Sequence, residues 1–266
     1  MIQQQSRWGH WKAFGLALAM AAVMFLPFVI MDGGCFFYYG DFNVQQIPFY
    51  RLAHEAVRSG DIFWSWTTDL GANFIGSYSF YLLFSPFFWL TLPFPVEAIP
   101  YLMAPLLALK FATAALTSCL YIRRFVKEEV TAVMGSLLYA FSGWMIYNVF
   151  FNHFLEVAAF FPLLLVALEE LMVENRRGLF ALAVALNAMV NYWFFIGEVV
   201  FVVLYFFVRC TSPQWKASFG GFCKVAFEAI LGVGLAMAAL LPSALAILGN
   251  PRTGTDKLLS GWSLWL

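Results

Sequence analysis

The residues best suited to chemistry crowd into one short stretch, YYGDFNVQQIPFYRLAHEAVRSGD, residues 38–61. It follows a long apolar run and turns abruptly polar, with Asp41, Gln45 and Gln46 ahead of Arg51, His54 and Glu55. A carboxylate a few residues beyond the end of a membrane helix is placed to act as general base on a hydroxyl held at the interface, because that role needs hydrogen-bond reach to the proton removed. Asp41 is the candidate base, and Gln45, Gln46 and Arg51 are candidate substrate contacts. The plain alternative is that Asp41 solvates a loop.

Two charges fall inside apolar runs: Lys110 in APLLALKFATAAL and Glu198 in NYWFFIGEVVFVVLYF. Each costs ~2.5–3.5 kcal/mol on insertion scales, so each needs a reason to be there. One reason is a polar cavity in which Lys110 meets an anionic head group and Glu198 orients a cation or a hydroxyl. The other is a Lys–Glu pair between helices, or snorkelling of the lysine. His153 and Glu156 stand three apart in NVFFNHFLEVAAFFP and share a helix face. They suit substrate contact or a helix cap, and a metal would need more ligands than this pair supplies. The cysteines, Cys35, Cys119, Cys210 and Cys223, have no CxxC spacing. Phosphate-loop, dinucleotide, HExxH and nucleophile-elbow motifs are absent from the sequence.

The elements that must carry these residues are membrane helices. Only 11% of the 266 residues are charged and 62% are hydrophobic, whereas a soluble domain carries roughly 25% charged residues. The runs 13–31, 98–122, 154–173 and 178–208 reach the ~18–20 apolar residues that cross a bilayer. With a net charge of zero, nothing points to nucleic acid. The first run is too long for the core of a signal peptide and has no small-x-small cleavage site, so it reads as a retained helix.

Counting Lys and Arg in short loops sets the orientation. Arg7, Lys12, Arg123, Arg124, Lys127, Arg176, Arg177, Arg209, Lys216 and Lys224 all fall on one side if the N-terminus is cytoplasmic. Arg51, Arg58, Arg252 and Lys257 fall on the other. The path is then 13–31 outward, 32–97 largely outside, 98–122 inward, 130–148 outward and 154–173 inward. A break at NYWFF makes two short spans, 178–191 and 194–208, and 225–248 exits, leaving the tail after 250 outside. Six or seven crossings result.

Within the first loop, FYRLAHEAVRSG predicts an amphipathic surface helix. Phe49, Leu52, Ala53, Ala56 and Val57 form its apolar stripe, Arg51, His54, Glu55 and Arg58 face away, and Gly60 stops it. IFWSW supplies aromatic anchors at head-group level. The segment 79–95 is apolar, but Pro86, Pro93 and Pro95 interrupt it, so it reads as re-entrant or interface-lying.

Taken together, GDFNVQQIPFYRLAHEAVRSGD, DLGANFIGSYSFYLLFSPFFWL, LKFATAALTSCLYIRR and YAFSGWMIYNVFFNHFLEVAAFFPLLLVALEEL resemble the YfhO family of bacterial membrane proteins over roughly residues 13 to 250. That family is similar to the GT-C glycosyltransferases. The resemblance implies an all-α polytopic helix bundle whose first extracytoplasmic loop, 32–97, carries short interfacial helices. It further implies sugar transfer at the outer face from a polyprenyl-phosphate carrier to a cell-envelope polymer or lipid, with Asp41 in the position of the acidic residue of the first loop. Lys110, Arg51 and Arg58 are the cations offered to the carrier phosphate. The residues single out no cofactor, and a divalent cation at the phosphate stays open. Family members are longer, so the chain reads as a single transmembrane domain, 1–266, that is an N-terminal portion. The other readings are a transporter or flippase for a lipid-linked or small polar substrate, an inactive fragment, and a non-catalytic assembly protein.

Overall fold

The computed structural model describes residues 8–68, 70–215 and 218–249. Arg7, Lys216, Arg252, Lys257 and the outward tail after 250 lie outside the described residues. Helix α1 (Gly9–Met31) opens the chain, and its stripe of Ala13, Ala17 and Ala21 is fully buried. Small side chains four apart let two backbones approach closely, and here they seat α1 against the long α5 described below.

A π-helical turn, Phe42–Gln46, runs directly into α2 (Ile47–Ser59), which ends at Gly60 with φ +85°. The left-handed conformation makes glycine the natural stop. The buried residues of α2 are Ile47, Tyr50, Ala53 and His54; the rest of the expected stripe, Phe49, Leu52, Ala56 and Val57, is half-buried against the core, and His54, expected to face away, turns inward. His54 is 0% exposed and its Nε2 lies 3.3 Å from the Thr91 carbonyl, so the ring can enter the core as a hydrogen-bonded group. Arg51, Glu55 and Arg58 are exposed, as the sequence predicts.

A two-residue antiparallel ribbon follows, β1 (Trp64–Ser65) against β2 (Ala72–Asn73), and leads into α3 (Phe74–Tyr78). The segment 79–95 is a series of short turns: a second π-helical turn, Ser79–Leu83, then α4 (Pro86–Trp89) and bends at the remaining prolines. Ser85 Oγ accepts from the Phe87 and Phe88 amides, restarting the helix at Pro86.

The bundle proper is α5 (Ile99–Ile122), α6 (Glu129–Ala140), α7 (Gly143–Tyr147), α8 (Phe154–Val173), α9 (Leu179–Val190), α10 (Tyr192–Arg209), α11 (Phe219–Leu235) and α12 (Met237–Leu248). Helix α5 is central and packs on α1, α6 and α8, while α9 packs on α8 and α11. The expected break in 178–208 falls at Asn191, whose backbone is extended and whose side chain accepts from the Phe194 amide at 3.2 Å. The apolar run 225–248, expected as one span, is two helices bent by 70°. Two attachments pull them apart. A Cβ on Gly232 would meet the Ala181 carbonyl at 2.5 Å, so α11 lies tight on α9, while Ser243 of α12 bonds Ser79 at 2.6 Å in the first loop.

Among the described residues, four helices are long and apolar enough to cross a membrane: Gly9–Met31, Val96–Ile122, Glu129–Phe151 and Tyr192–Arg209. They become five if the bent pair is one span, which is fewer than the six or seven crossings expected. Helix α8 carries Glu156, Glu169 and Glu170, and α9 has only 12 residues. Both are wrapped inside the bundle, where Glu169 pairs with Arg209 at 2.6 Å and Glu170 with Arg124 at 3.2 Å. Glu228 of α11 likewise accepts from the Gly178 amide at 2.9 Å, satisfying the start of α9. Several of the bases expected on one side meet acidic partners: Lys12 pairs with Glu129, Arg124 with Glu174, and Arg176 with Glu170.

Candidate functional site

The first loop closes over a cluster of buried polar side chains. Its centre is Lys110, placed mid-way along α5. The Lys110 ammonium lies 2.7 Å from Glu156 Oε1 and donates to the Asn152 carbonyl at 3.1 Å and to Asn152 Oδ1 at 2.8 Å. The ammonium is thus ion-paired with Glu156, hydrogen-bonded to Asn152 and only 1% exposed. The expected alternative of a Lys–Glu pair between helices is therefore realised, but with Glu156 of α8 and not with Glu198. Buried and ion-paired in this way, Lys110 is not open to an anionic head group, which departs from that expectation.

The Ser85 hydroxyl donates to the Glu156 carboxylate, and the Tyr50 phenol is buried near it without a hydrogen-bond partner among the described residues. The turn that restarts the helix at Pro86 and the surface helix α2 are thus both tied to the α5–α8 pair. A Phe87 ring lies 5.5 Å from the ammonium, within the range of a cation–π contact.

A second chain of hydrogen bonds runs above this pair. His153 Nδ1 is 3.1 Å from Gln46 Oε1, and Gln46 Nε2 donates to Gln45 Oε1 at 3.2 Å. Since an amide oxygen only accepts, His153 carries its proton on Nδ1. With its oxygen occupied, Gln45 has its NH₂ to give, and it bonds the Tyr81 phenol. His153 Nε2 is left buried and without a partner among the described residues, walled by Phe80, Tyr81 and Phe154 at ring separations of 5.2, 5.1 and 4.4 Å.

Asp41 stands at the outer end of this chain. It opens the π-helical turn and is partly exposed. Burial first, then the Asp41 carboxylate, push the Tyr81 phenol above its ordinary range, and the Gln45 bond works against that rise. Asn43 fixes the loop: its Oδ1 accepts from the Tyr38 amide at 2.9 Å, and its Nδ2 donates back to the Tyr38 carbonyl. Gly40, at φ +58°, makes the turn that precedes Asp41.

The fold therefore pairs Lys110 with Glu156, links Gln45, Gln46 and His153 in one hydrogen-bonded chain beside that pair, and sets Asp41 near enough to Tyr81 to act on it electrostatically. Arg51 is exposed on α2, outside these groups, and Glu198 lies apart on α10 in its own groove. Sequence reasoning passed over Tyr50, Tyr81, Ser85 and Asn152. Ser-Pro before an apolar turn is a legible helix start, and Asn152 adjoins His153. Neither tyrosine carries any signal in a chain that is 20% aromatic.

A family model described as "Bacterial membrane protein YfhO" matches residues 13–263. The chain belongs to that family and is a polytopic membrane protein. No curated protein and no solved structure matches it.

Proposed function

We propose that this membrane protein is a glycosyltransferase, or the N-terminal part of one, that moves a sugar from a polyprenyl-phosphate carrier to a cell-envelope polymer or lipid on the outer face, with the N-terminus cytoplasmic. The observation that carries the reading is a carboxylate, Asp41, partly open to solvent and standing over a buried hydrogen-bonded floor. That is the arrangement a base needs when it must be both reachable and oriented. Asp41 takes the proton of the acceptor hydroxyl as that oxygen attacks the anomeric carbon. The bond from that carbon to the carrier phosphate breaks, and its electron pair leaves with the phosphate. Gln45, its amide oriented by Gln46, contacts the sugar or the acceptor, and His153 holds Gln46 in place.

The leaving phosphate gains charge, and a cation nearby stabilises it. Lys110 is buried against Glu156 and Arg58 donates to the Phe94 carbonyl at 3.2 Å, so Arg51, exposed on α2, takes that role. Among the described residues no group of three His, Cys, Asp or Glu side chains is placed to hold a metal, and no step is assigned to one.

Two helix breaks, at Asn191 and between α11 and α12, favour a second reading, transport of a lipid-linked or small polar substrate. Sugar transfer from a panel of polyprenyl-phosphate sugars in reconstituted membranes separates the two. The parent chain, its Asp41→Asn variant and a longer family member are compared. Transfer that Asp41→Asn loses supports the enzyme. Transfer unchanged in Asp41→Asn removes the base assigned here. Silence from every form, with substrate counterflow present, establishes the transporter.

A further inference from the structure

Glu198 lies outside the cluster just described and has an environment of its own. It stands on α10 between Phe194 and Phe201, four residues before and three after, so the three side chains share one stripe. The residue is 7% exposed, and Oε2 has no hydrogen-bond partner among the described residues. The carboxylate lines a groove of about 330 Å³ whose other walls include Tyr139, Trp144, Phe161, Phe194 and Phe201. Trp144 meets Phe194 edge to face at 6.1 Å, and Phe161 meets Phe201 the same way at 5.1 Å. Gly197 adds open space beside the carboxylate, since a Cβ there would meet nothing within 4 Å.

An isolated carboxylate in an apolar, membrane-facing site is costly. The lysine that could have matched it, Lys110, is held by Glu156. Among the described residues, no basic side chain lines the groove. A bare inorganic cation does not fit, because hard cations take six or more oxygen ligands and the walls are mainly rings. A hydrocarbon chain alone would fill the space and leave the carboxylate unmatched. An organic ammonium group matches both features at once: it makes a charge-assisted contact with the carboxylate and lies against the electron-rich faces of aromatic rings. Around the groove, α10 presents exposed Trp193, Ile196, Val200 and Leu204, a surface that belongs against lipid chains. The ligand therefore arrives from the bilayer.

We propose that the groove between α8, α10 and the α6–α7 corner binds the ammonium head group of a membrane aminolipid, with Glu198 as its counter-ion and Trp144, Phe194 and Phe201 as its aromatic wall. This site is independent of the sugar-transfer reading.

The test uses the full chain in nanodiscs holding phosphatidylethanolamine and phosphatidylglycerol in equal amounts. Retained lipid is read by native mass spectrometry. The expected result is preferential retention of phosphatidylethanolamine, reduced about tenfold by Glu198→Gln, since the charge-assisted contact that this variant removes is worth roughly a factor of ten. Trp144→Leu reduces it in part, and Asp41→Asn does not change it. Equal retention of the two lipids overturns the proposal, as does a preference that Glu198→Gln leaves intact. Tetramethylammonium that binds in a Glu198-dependent way without any lipid preference overturns the aminolipid source and replaces it with a soluble amine. Retention of both lipids unaffected by Glu198→Gln marks the groove as a hydrocarbon site only.

Discussion

Lys110 and Glu156 face each other at 2.7 Å with both side chains only 1% exposed. They are the polar joint between the two central helices. Removing one partner of such a pair strands the other charge and costs about 3–5 kcal/mol, whereas replacing both with apolar residues of similar volume is often neutral. Lys110→Met and Glu156→Leu alone are each expected to lower the thermal unfolding temperature sharply in detergent. The double variant is expected to recover most of the loss. If the double variant is as unstable as the sum of the two singles, the pair is not coupled as its geometry requires.

That joint shows how far the sequence could be read. Lys110 stood out because a charge in an apolar run is conspicuous, and Glu156 because it stands three residues after His153 at the start of one. Their pairing was not legible, because 46 positions separate them and Glu198 was an equally good partner on chemistry. The surface helix and its stop at Gly60 were legible from period and glycine. His54 was not, since its burial depends on a carbonyl contributed by Thr91. The bend after Leu235 was hidden for the same reason: it answers to contacts made by α9 and the first loop, not to a proline at the bend.

Asn43 is expected to act on Asp41 through the backbone. Its side chain makes both an accepted and a donated bond to Tyr38, and these close the loop that presents the carboxylate. Asn43→Ala removes both at an exposed site, where each bond is worth about 0.5–1.5 kcal/mol, so the fold should survive. Transfer should fall mainly through kcat, with carrier binding little changed. An Asn43→Asp variant keeps the acceptor and should retain more activity than Asn43→Ala. Equal loss in the two variants would deny the positioning role.

Gly232 is expected to tolerate no side chain. A Cβ there would lie 2.5 Å from the Ala181 carbonyl and 2.6 Å from the Val184 Cβ, so α11 must move off α9. Overpacking of this kind costs about 1–3 kcal/mol. Gly232→Ala should lower thermal stability by an amount in that range, while Gly234→Ala, with nothing within 4 Å of its added Cβ, should be neutral or mildly stabilising. Equal effects at the two glycines would mean that helix propensity, not packing, decides.

Gln46 joins the buried floor to the reactive end, and its replacement tests whether that junction matters for chemistry. Its amide accepts from His153 Nδ1 and donates to Gln45, and Gln45 in turn holds Tyr81 beside Asp41. Gln46→Leu matches the volume but leaves the His153 N–H without an acceptor, at a cost of about 1–3 kcal/mol. A floor that only stabilises the fold would show this loss in unfolding and leave turnover of the folded fraction unchanged. A floor that positions Gln45 and Tyr81 would show an added fall in kcat per folded molecule. Pairing Gln46→Leu with His153→Phe removes the stranded donor and should restore stability but not turnover. Return of both together would reduce the cluster to a structural core.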